Sequence, residues 1–102
     1  MTPGATSKDY LFITVSRDDL TNGIQCNAFS CPIARAVNRL LPIGYFAEAT
    51  YDLRIFLNEG FSLVALGRMP SPVLQFIRAF DQGQWVSPMA FAIELRKVEH
   101  AT

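Results

Sequence analysis

The residues best suited to chemistry are two cysteines, Cys26 and Cys31, in the segment that leads into a predicted helix. A thiol at a helix entrance meets free backbone N–H groups and the positive end of the helix dipole, which favour the thiolate. Cys31 is therefore a candidate nucleophile. Such a cysteine needs a base, usually histidine, and the one histidine, His100, lies in a polar tail. We expect Cys31 to be a small buried residue that shapes the helix start, and the protein not to be an enzyme.

The same thiols do not predict a metal site or a disulfide. Zinc takes four ligands in structural sites, and two cysteines with one distant histidine do not reach that number within one chain. A disulfide between Cys26 and Cys31 is geometrically possible, but the reducing cytoplasm, which is the expected compartment, opposes it. The adjacent acids Asp18 and Asp19 are better explained as residues of the first turn of a helix than as a catalytic acid–base pair. We therefore expect two free thiols, no metal and no cofactor.

The arginines offer a different chemistry, the binding of an anion. Seven of the nine basic residues are arginine, whose planar fork suits carboxylate and phosphate. Arg35 and Arg39 lie one turn apart on the polar face of the predicted helix. Joined by another arginine and a ring, they would provide charge for a phosphate and a stacking surface for a base. The alternative is a solvated helix face. The predicted ligand-binding residues are Arg35, Arg39, Tyr45, Arg54 and Trp85, with Tyr51 as a further candidate ring.

Charge and hydropathy restrict the partners. Nine acidic residues balance the nine basic ones, which argues against tight, non-specific binding of nucleic acid. Near-zero net charge favours self-association, so we expect a homo-oligomer. No apolar run approaches the ~20 residues of a membrane helix, and Met1–Asp9 is too polar for a signal peptide. These features predict a protein of the cytoplasm that binds neither membrane nor nucleic acid.

The elements that must position these residues follow the order β-α-β-β-(β)-α-β in one domain, residues 1–102. A flexible arm (1–9) and a polar tail (97–102) are expected at its ends. Apolar residues on both faces of the first strand suggest that it is central in the sheet. A helix over 32–41 is predicted from apolar residues at i, i+3, i+4, i+7 and i+8, and a second over 72–82. The strands are predicted at Tyr10–Val15, Tyr45–Tyr51, Asp52–Asn58, Phe61–Leu66 and Phe91–Leu95.

This order predicts an α+β fold in which both apolar helix stripes are buried on one face of a mainly antiparallel sheet. The best single prediction is a two-layer sandwich of the ferredoxin-like type or a variant of it. Between the first strand and first long helix, Ser16 would cap a short helical turn that ends at Gly23.

Several short motifs resemble a class of small proteins met in tailed-phage genomes. The segment Thr14–Leu20 has the strand and acidic turn of that class, and Cys31-Pro32-Ile33-Ala34 has its Cys-Pro-[Val/Ile]-Ala helix start. Phe76 to Gly83 has its Phe-x-x-x-Phe-Asp-x-Gly helix end, which a short aromatic strand follows. The resemblance spans most of residues 13–95. It implies a phage origin, a location in the host cell cytoplasm and a host component as target, and it implies no catalytic residues.

Together these features predict a non-enzymatic binding protein that sequesters a small host molecule, nucleotide-like in chemistry, in a counter-defence role. The alternative is a protein–protein inhibitor that docks on a host enzyme through an aromatic surface. A thiol enzyme ranks third and a nucleic-acid-binding protein fourth, for the reasons given above.

Overall fold

The computed structural model describes residues 9–98, and within them the chain is an α+β domain, as predicted. The predicted arm and tail lie mostly outside the described residues, but Asp9 and Lys97 belong to strands. A 3₁₀ turn, Glu59–Phe61, follows the third strand. The elements are β1 (Asp9–Val15), α1 (Arg17–Asn22), α2 (Pro32–Asn38), β2 (Tyr45–Ala49), β3 (Asp52–Leu57), β4 (Ser62–Arg68), α3 (Ser71–Asp81) and β5 (Met89–Lys97).

The five strands form one sheet in the order β1-β5-β4-β3-β2, and every neighbouring pair is antiparallel. The prediction that β1 is a central strand is therefore wrong, because β1 lies at an edge. Its two faces also differ: Ile13 and Val15 are buried, whereas Tyr10 is 57% and Phe12 74% exposed. The apolar residues of its outer face are surface residues, which a count of hydrophobic positions does not reveal.

The sheet curls around α2. This helix packs against both β1 and β2, which are the opposite edges of the sheet. A flat sheet of five strands separates its edges by four strand spacings, roughly 19 Å, which is too wide for one helix to contact both. The mainly antiparallel sheet is thus as predicted, but a ferredoxin-like sandwich is not confirmed.

The junction between β4 and β5 is short, and it requires a glycine. Only Ala65↔Lys97 and Leu66↔Arg96 are paired across it. At the next position, a Cβ on Gly67 would lie 2.4 Å from the backbone oxygen of Glu94. No side chain fits at that distance, so Gly67 lets the two backbones approach. The short junction joins the β1–β5 pair to the β2–β3–β4 meander.

One hydrophobic core fills the space inside the curled sheet. Residues of α2 and α3 meet the inner sheet face there, as the two apolar helix stripes predict. None of the helices in residues 9–98 has the length and hydropathy needed to cross a membrane. The buried cluster consists of Ile13, Val15, Cys31, Ile33, Ala34, Ala36, Val37, Ala47, Ala49, Leu53, Met69, Val73, Phe76 and Ile93.

Helix α2 is shorter than its apolar pattern predicts. It ends at Asn38, and Leu40, expected on the buried face, is 47% exposed. The reason is tertiary, because the Asn38 side chain accepts a hydrogen bond from the backbone N–H of Ala47 at 2.8 Å. The backbone then tightens into a three-residue turn in which Leu40 N–H donates to the Val37 carbonyl.

The same region closes both sheet edges. On β2, the outward N–H of Ala49 donates to the carbonyl of Ala28 at 2.8 Å, beside the Asn38–Ala47 bond. On β1, the Thr14 carbonyl accepts from the Arg39 guanidinium at 3.2 Å. Covered edges do not recruit further strands at these positions.

The core position of α2 predicts a contrast between two isoleucines. Ile33 is 0% and Ile43 102% exposed. We expect Ile33→Ala to lower the free energy of unfolding by ~2–5 kcal/mol, because it removes buried methyl groups and leaves a cavity. Ile43→Ala, the matched control, should change it by less than about 0.5 kcal/mol. Urea unfolding of both variants measures the difference, and equal losses would contradict the assigned core.

Candidate functional site

The polar face of α2, where the sequence places Arg35 and Arg39, is an ion-pair cluster built on Asp19. Ser16 and Asp19 form a reciprocal capping box at the start of α1, with the Ser16 N–H donating to Asp19 Oδ2 at 2.9 Å. Arg39 donates to both oxygens of the same carboxylate, at 2.8 and 2.7 Å. The first-turn capping predicted for Asp19 is confirmed, and it coincides with a bidentate ion pair.

Asp19 is fully buried, and its charge is held by these contacts. The hydrogen bonds from Arg39, assisted by those from Ser16, lower the pKa of Asp19 from 3.8 to about 2, against the opposing effect of burial. The same pair raises the pKa of Arg39. A bidentate arginine–carboxylate contact is strong and geometrically specific, so this guanidinium is engaged within the fold.

Arg35 and Arg54 are also paired with acids. Arg35 Nη2 lies 3.3 Å from Asp18 Oδ2, while its buried Nε lies 3.6 Å from Asp19 Oδ1 and has no hydrogen-bond partner among the described residues. Arg54 Nη1 lies 3.5 Å from Glu48 Oε1, its cross-strand neighbour. The structure therefore brings Arg35 and Arg39 together, but around acidic side chains of the chain itself.

The two predicted rings lie elsewhere. Tyr45, at the start of β2, is 38% exposed and lines a shallow hollow of about 420 Å³ with Phe29, Phe46 and Phe61. Trp85 is 80% exposed in the segment between α3 and β5. Neither ring is in a contact with Arg35 or Arg39 that would complete the predicted ligand set.

A better-formed cleft lies between the cysteine loop, the β2–β3 turn and α3. Its volume is about 480 Å³, within the range of small-molecule sites. Polar groups from all three segments converge on partly apolar walls. The lining residues are Cys26, Asn27, Ala28, Cys31, Ala49, Thr50, Tyr51, Leu74, Ile77, Arg78, Asp81 and Gln82.

Hydrogen bonds connect the segments that form the walls of the cleft. The Cys26 N–H donates to Asp81 Oδ1 at 2.8 Å, and Gln25 Nε2 donates to the Phe80 carbonyl at 3.0 Å. These bonds tie the loop to the C-terminal end of α3. On the opposite wall, the Tyr51 carbonyl accepts from the Met69 N–H at 3.3 Å, which fixes the backbone behind an exposed ring.

Arg78 is the cation of this cleft. It forms no ion pair within residues 9–98, unlike Arg35, Arg39 and Arg54. The sequence analysis did not single out Arg78, because the pattern of α3 was interpreted only as that of a helix packed on the core. The available signal was the spacing of Leu74, Arg78 and Asp81, which places these side chains on adjacent turns of one helix face.

The two cysteines that line this cleft differ in burial and in backbone conformation. Cys31 is 3% exposed and caps α2, with its Sγ accepting from the Ala34 N–H at 3.5 Å. Burial raises the pKa of its thiol, partly offset by that N–H. Cys26 is exposed, in a left-handed backbone conformation with φ of 56°. The predicted structural role of Cys31 and the free state of both thiols agree with these positions.

Residues 9–98 contain no group of three or more histidine, cysteine, aspartate or glutamate side chains placed to hold a metal ion. A wider hollow of about 740 Å³ lies along β4 and β5, and its charged lining residues are Asp52, Arg68, Glu94 and Arg96. Its lining carries equal numbers of basic and acidic side chains, as does that of the cleft, where Arg78 lies beside Asp81.

No family model matches this chain, and no curated protein or solved structure is significantly similar to it.

The buried Asp19 is expected to make a contribution to the free energy of unfolding that is lost in acid. A carboxylate with a lowered folded-state pKa stabilises the protein above its unfolded pKa of ~3.9, and this contribution is lost as the pH falls through the folded value. We expect the term, about 2 kcal/mol from the shift to about 2, to disappear between about pH 4 and pH 2.

The measurement is the urea-unfolding free energy of the wild type and Asp19→Asn across that range. The advantage of the wild type at neutral pH should shrink as the pH falls. Asp18→Asn is the matched control, since Asp18 is 74% exposed and its pair with Arg35 contributes little. A pH-independent difference for Asp19→Asn would contradict the assigned ion pair.

The thiols predict a two-phase labelling experiment. A small maleimide should react with Cys26 quickly and with Cys31 slowly, because Cys31 is buried and its pKa is raised. Mass spectrometry should show one adduct at early times and two after denaturation. Cys26→Ser should remove the fast phase and Cys31→Ser should leave it. Fast labelling of both thiols in the folded protein would contradict the assignment.

Proposed function

We propose that this protein is a non-enzymatic binding protein that sequesters a small, nucleotide-like molecule in the cleft between the cysteine loop and α3. The observation that carries the proposal is the combination of Arg78, unpaired with any acid in residues 9–98, and the exposed ring of Tyr51 in one cleft of about 480 Å³. Charge for a phosphate and a ring for a base are what such a ligand requires.

Each wall supplies one part of the recognition. Arg78 would face the phosphate, and Tyr51 would stack on the base. Asp81 has one oxygen engaged by the Cys26 N–H, and its other oxygen can accept from a sugar hydroxyl or a base amino group. Leu74 and Ile77 supply apolar area beneath the ligand. No step in this scheme needs a nucleophile or a metal, so binding rather than catalysis is proposed.

The resemblance to small tailed-phage proteins suggests a biological role for such binding. A phage protein that removes a host nucleotide signal from solution would act against host defence, in the host cytoplasm. The site predicted from sequence, on the polar face of α2, remains the competing location for the same ligand. The cleft is preferred because Arg35, Arg39 and Arg54 already have acidic partners.

A second function is supported by a specific surface. Rings of Phe29, Phe46, Phe56 and Phe61 form a contact group, with Phe61 72% exposed. Exposed aromatic clusters mark interaction sites. The alternative proposal is therefore a protein–protein inhibitor that docks on a host enzyme through these rings.

Calorimetry of the full-length chain against a panel of nucleoside monophosphates and cyclic nucleotides tests the leading proposal. We expect Arg78→Ala to weaken binding by ~1.5–3 kcal/mol, roughly ten- to a hundredfold, through loss of a charge-assisted contact. Tyr51→Ala should cost ~1–3 kcal/mol through lost stacking. Arg17→Ala, at an exposed position of α1, is the matched control and should bind as the wild type does.

The same titrations separate the two locations. If Arg35→Ala weakens binding and Arg78→Ala does not, the site lies on the polar face of α2. No heat with any member of the panel, for a folded wild type, would remove the nucleotide proposal and favour the inhibitor.

A further inference from the structure

The two outer strands of the sheet, β2 and β1, differ in how far the chain covers their outward backbone groups. On β2 the outward N–H groups of Tyr45, Ala47 and Ala49 each donate to a neighbouring loop or helix, at 3.2, 2.8 and 2.8 Å. An uncovered row of such groups pairs readily with another strand. The edge at β2 is therefore protected against strand pairing.

On β1 the outward groups belong to three even-numbered residues, Tyr10, Phe12 and Thr14. Val98, directly after β5, donates its N–H to a β4 carbonyl at 3.0 Å, so the even-numbered residues of β5 point their backbone groups away from β1. The β1–β5 register then turns the odd-numbered residues of β1 toward β5 and the even-numbered ones outward. The contact of Arg39 with the Thr14 carbonyl at 3.2 Å agrees with this assignment.

Arg39 covers the β1 edge at Thr14 alone. The backbone N–H and carbonyl groups of Tyr10 and Phe12 have no hydrogen-bond partner within residues 9–98. The side chains of the same two residues are 57% and 74% exposed, and neither ring contacts another ring in the described part of the chain. This stretch of β1 therefore combines unpaired backbone groups with two exposed rings.

We infer that this stretch of β1 pairs with the same stretch of a second copy of the chain, so that two sheets join across a two-fold axis. When the axis passes through Leu11, an antiparallel pair places Tyr10 of each copy opposite Phe12 of the other. Every unpaired N–H of the two residues then donates to an unpaired carbonyl. On the outer face each exposed ring meets a ring of the other copy, which is a favourable cross-strand pair.

The covered end of the edge selects this register. An axis through Phe12 would place Tyr10 opposite Thr14, where the Tyr10 N–H would compete with Arg39 for a carbonyl that already accepts a hydrogen bond. The axis through Leu11 leaves that contact as it is and uses the groups of Tyr10 and Phe12 together.

The shortness of the open stretch favours a folded strand over a loose peptide as its partner. A disordered peptide loses conformational entropy when it is ordered as a strand, and a few hydrogen bonds do not offset that loss. A second copy presents an edge already ordered by β5, with matching backbone groups and rings at the matching positions. Such self-complementarity is the condition for a two-fold interface. The inference is independent of the proposed ligand, because β1 contributes no residue to the cleft.

Disulfide cross-linking tests the register. At the axis the two Leu11 residues form a non-hydrogen-bonded pair, whose Cα atoms are ~4.5 Å apart, a distance that a disulfide spans. In a Cys26→Ser background, Leu11→Cys should form a covalent dimer under mild oxidation, seen on a non-reducing gel and removed by reductant. Thr14→Cys in the same background is the matched control, since two copies of residue 14 would lie ~20 Å apart along the paired strands.

Sedimentation equilibrium of the full-length chain tests the association itself. The mass should rise from 11.4 kDa toward twice that value between micromolar and millimolar concentration, because an interface of one strand is small and weak. Phe12→Pro should raise the dimer dissociation constant roughly tenfold or more, since it removes an outward N–H and a ring while leaving the bonds to β5. Phe61→Ser, which removes a ring that is 72% exposed elsewhere, is the control and should associate as the wild type does. Circular dichroism checks the folding of both variants.

Three outcomes would overturn the inference. One is a wild type that stays monomeric over the whole concentration range. Another is cross-linking of Leu11→Cys that is no faster than that of Thr14→Cys, which would remove the proposed register. The third is association that Phe61→Ser abolishes and Phe12→Pro leaves unchanged, which would place the contact on the other aromatic surface.

Discussion

Helix α2 contacts both edges of a five-stranded sheet, and the rest of the architecture depends on that contact. The helix can bridge β1 and β2 only if the sheet curls, and curling is what encloses a core in so short a chain. Small residues make the bridging possible, because Ala34 and Ala36 are buried with almost no exposed area. They let the strands approach the helix axis closely, while Ile33 and Val37 fill the interior between them.

Polar contacts at the end of α2 complete this arrangement. Asn38 and Arg39 reach backbone groups on β2 and β1 respectively, so the helix that spans the sheet also satisfies part of each edge. Arg39 in turn holds the buried Asp19 of α1. A buried carboxylate without such a partner would lower the free energy of unfolding of the protein by several kcal/mol. These contacts give the arginines of α2 a structural role, whereas Arg78, on α3, lines the cleft and has no ion pair in residues 9–98.

The cysteine loop joins the two surfaces for which functions are proposed. Cys26 is bound to α3 beside the cleft, Ala28 is bound to the β2 edge, and the ring of Phe29 contacts Phe46 on the outer face. A ligand in the cleft and a protein docked on the exposed aromatic rings would therefore each contact a segment of seven residues (25–31). The two proposals remain separable, because Arg78 and Tyr51 belong to the cleft alone.

Local patterns by themselves determined the α+β class, the order of elements, the Ser16 cap with its end at Gly23, and the alternation of Phe91, Ile93 and Leu95 in β5. Each depends on residues within a few positions of one another. The edge position of β1, the early end of α2 and the pairing of Arg39 with Asp19 were decided by the tertiary structure. Hydrophobic periodicity shows that one face of a helix or strand is apolar. Whether water or another element covers that face depends on chain segments far away in sequence. The same holds for charge, since Arg39 and Arg78 are equivalent as residue types and differ only in whether folding brings a carboxylate to them.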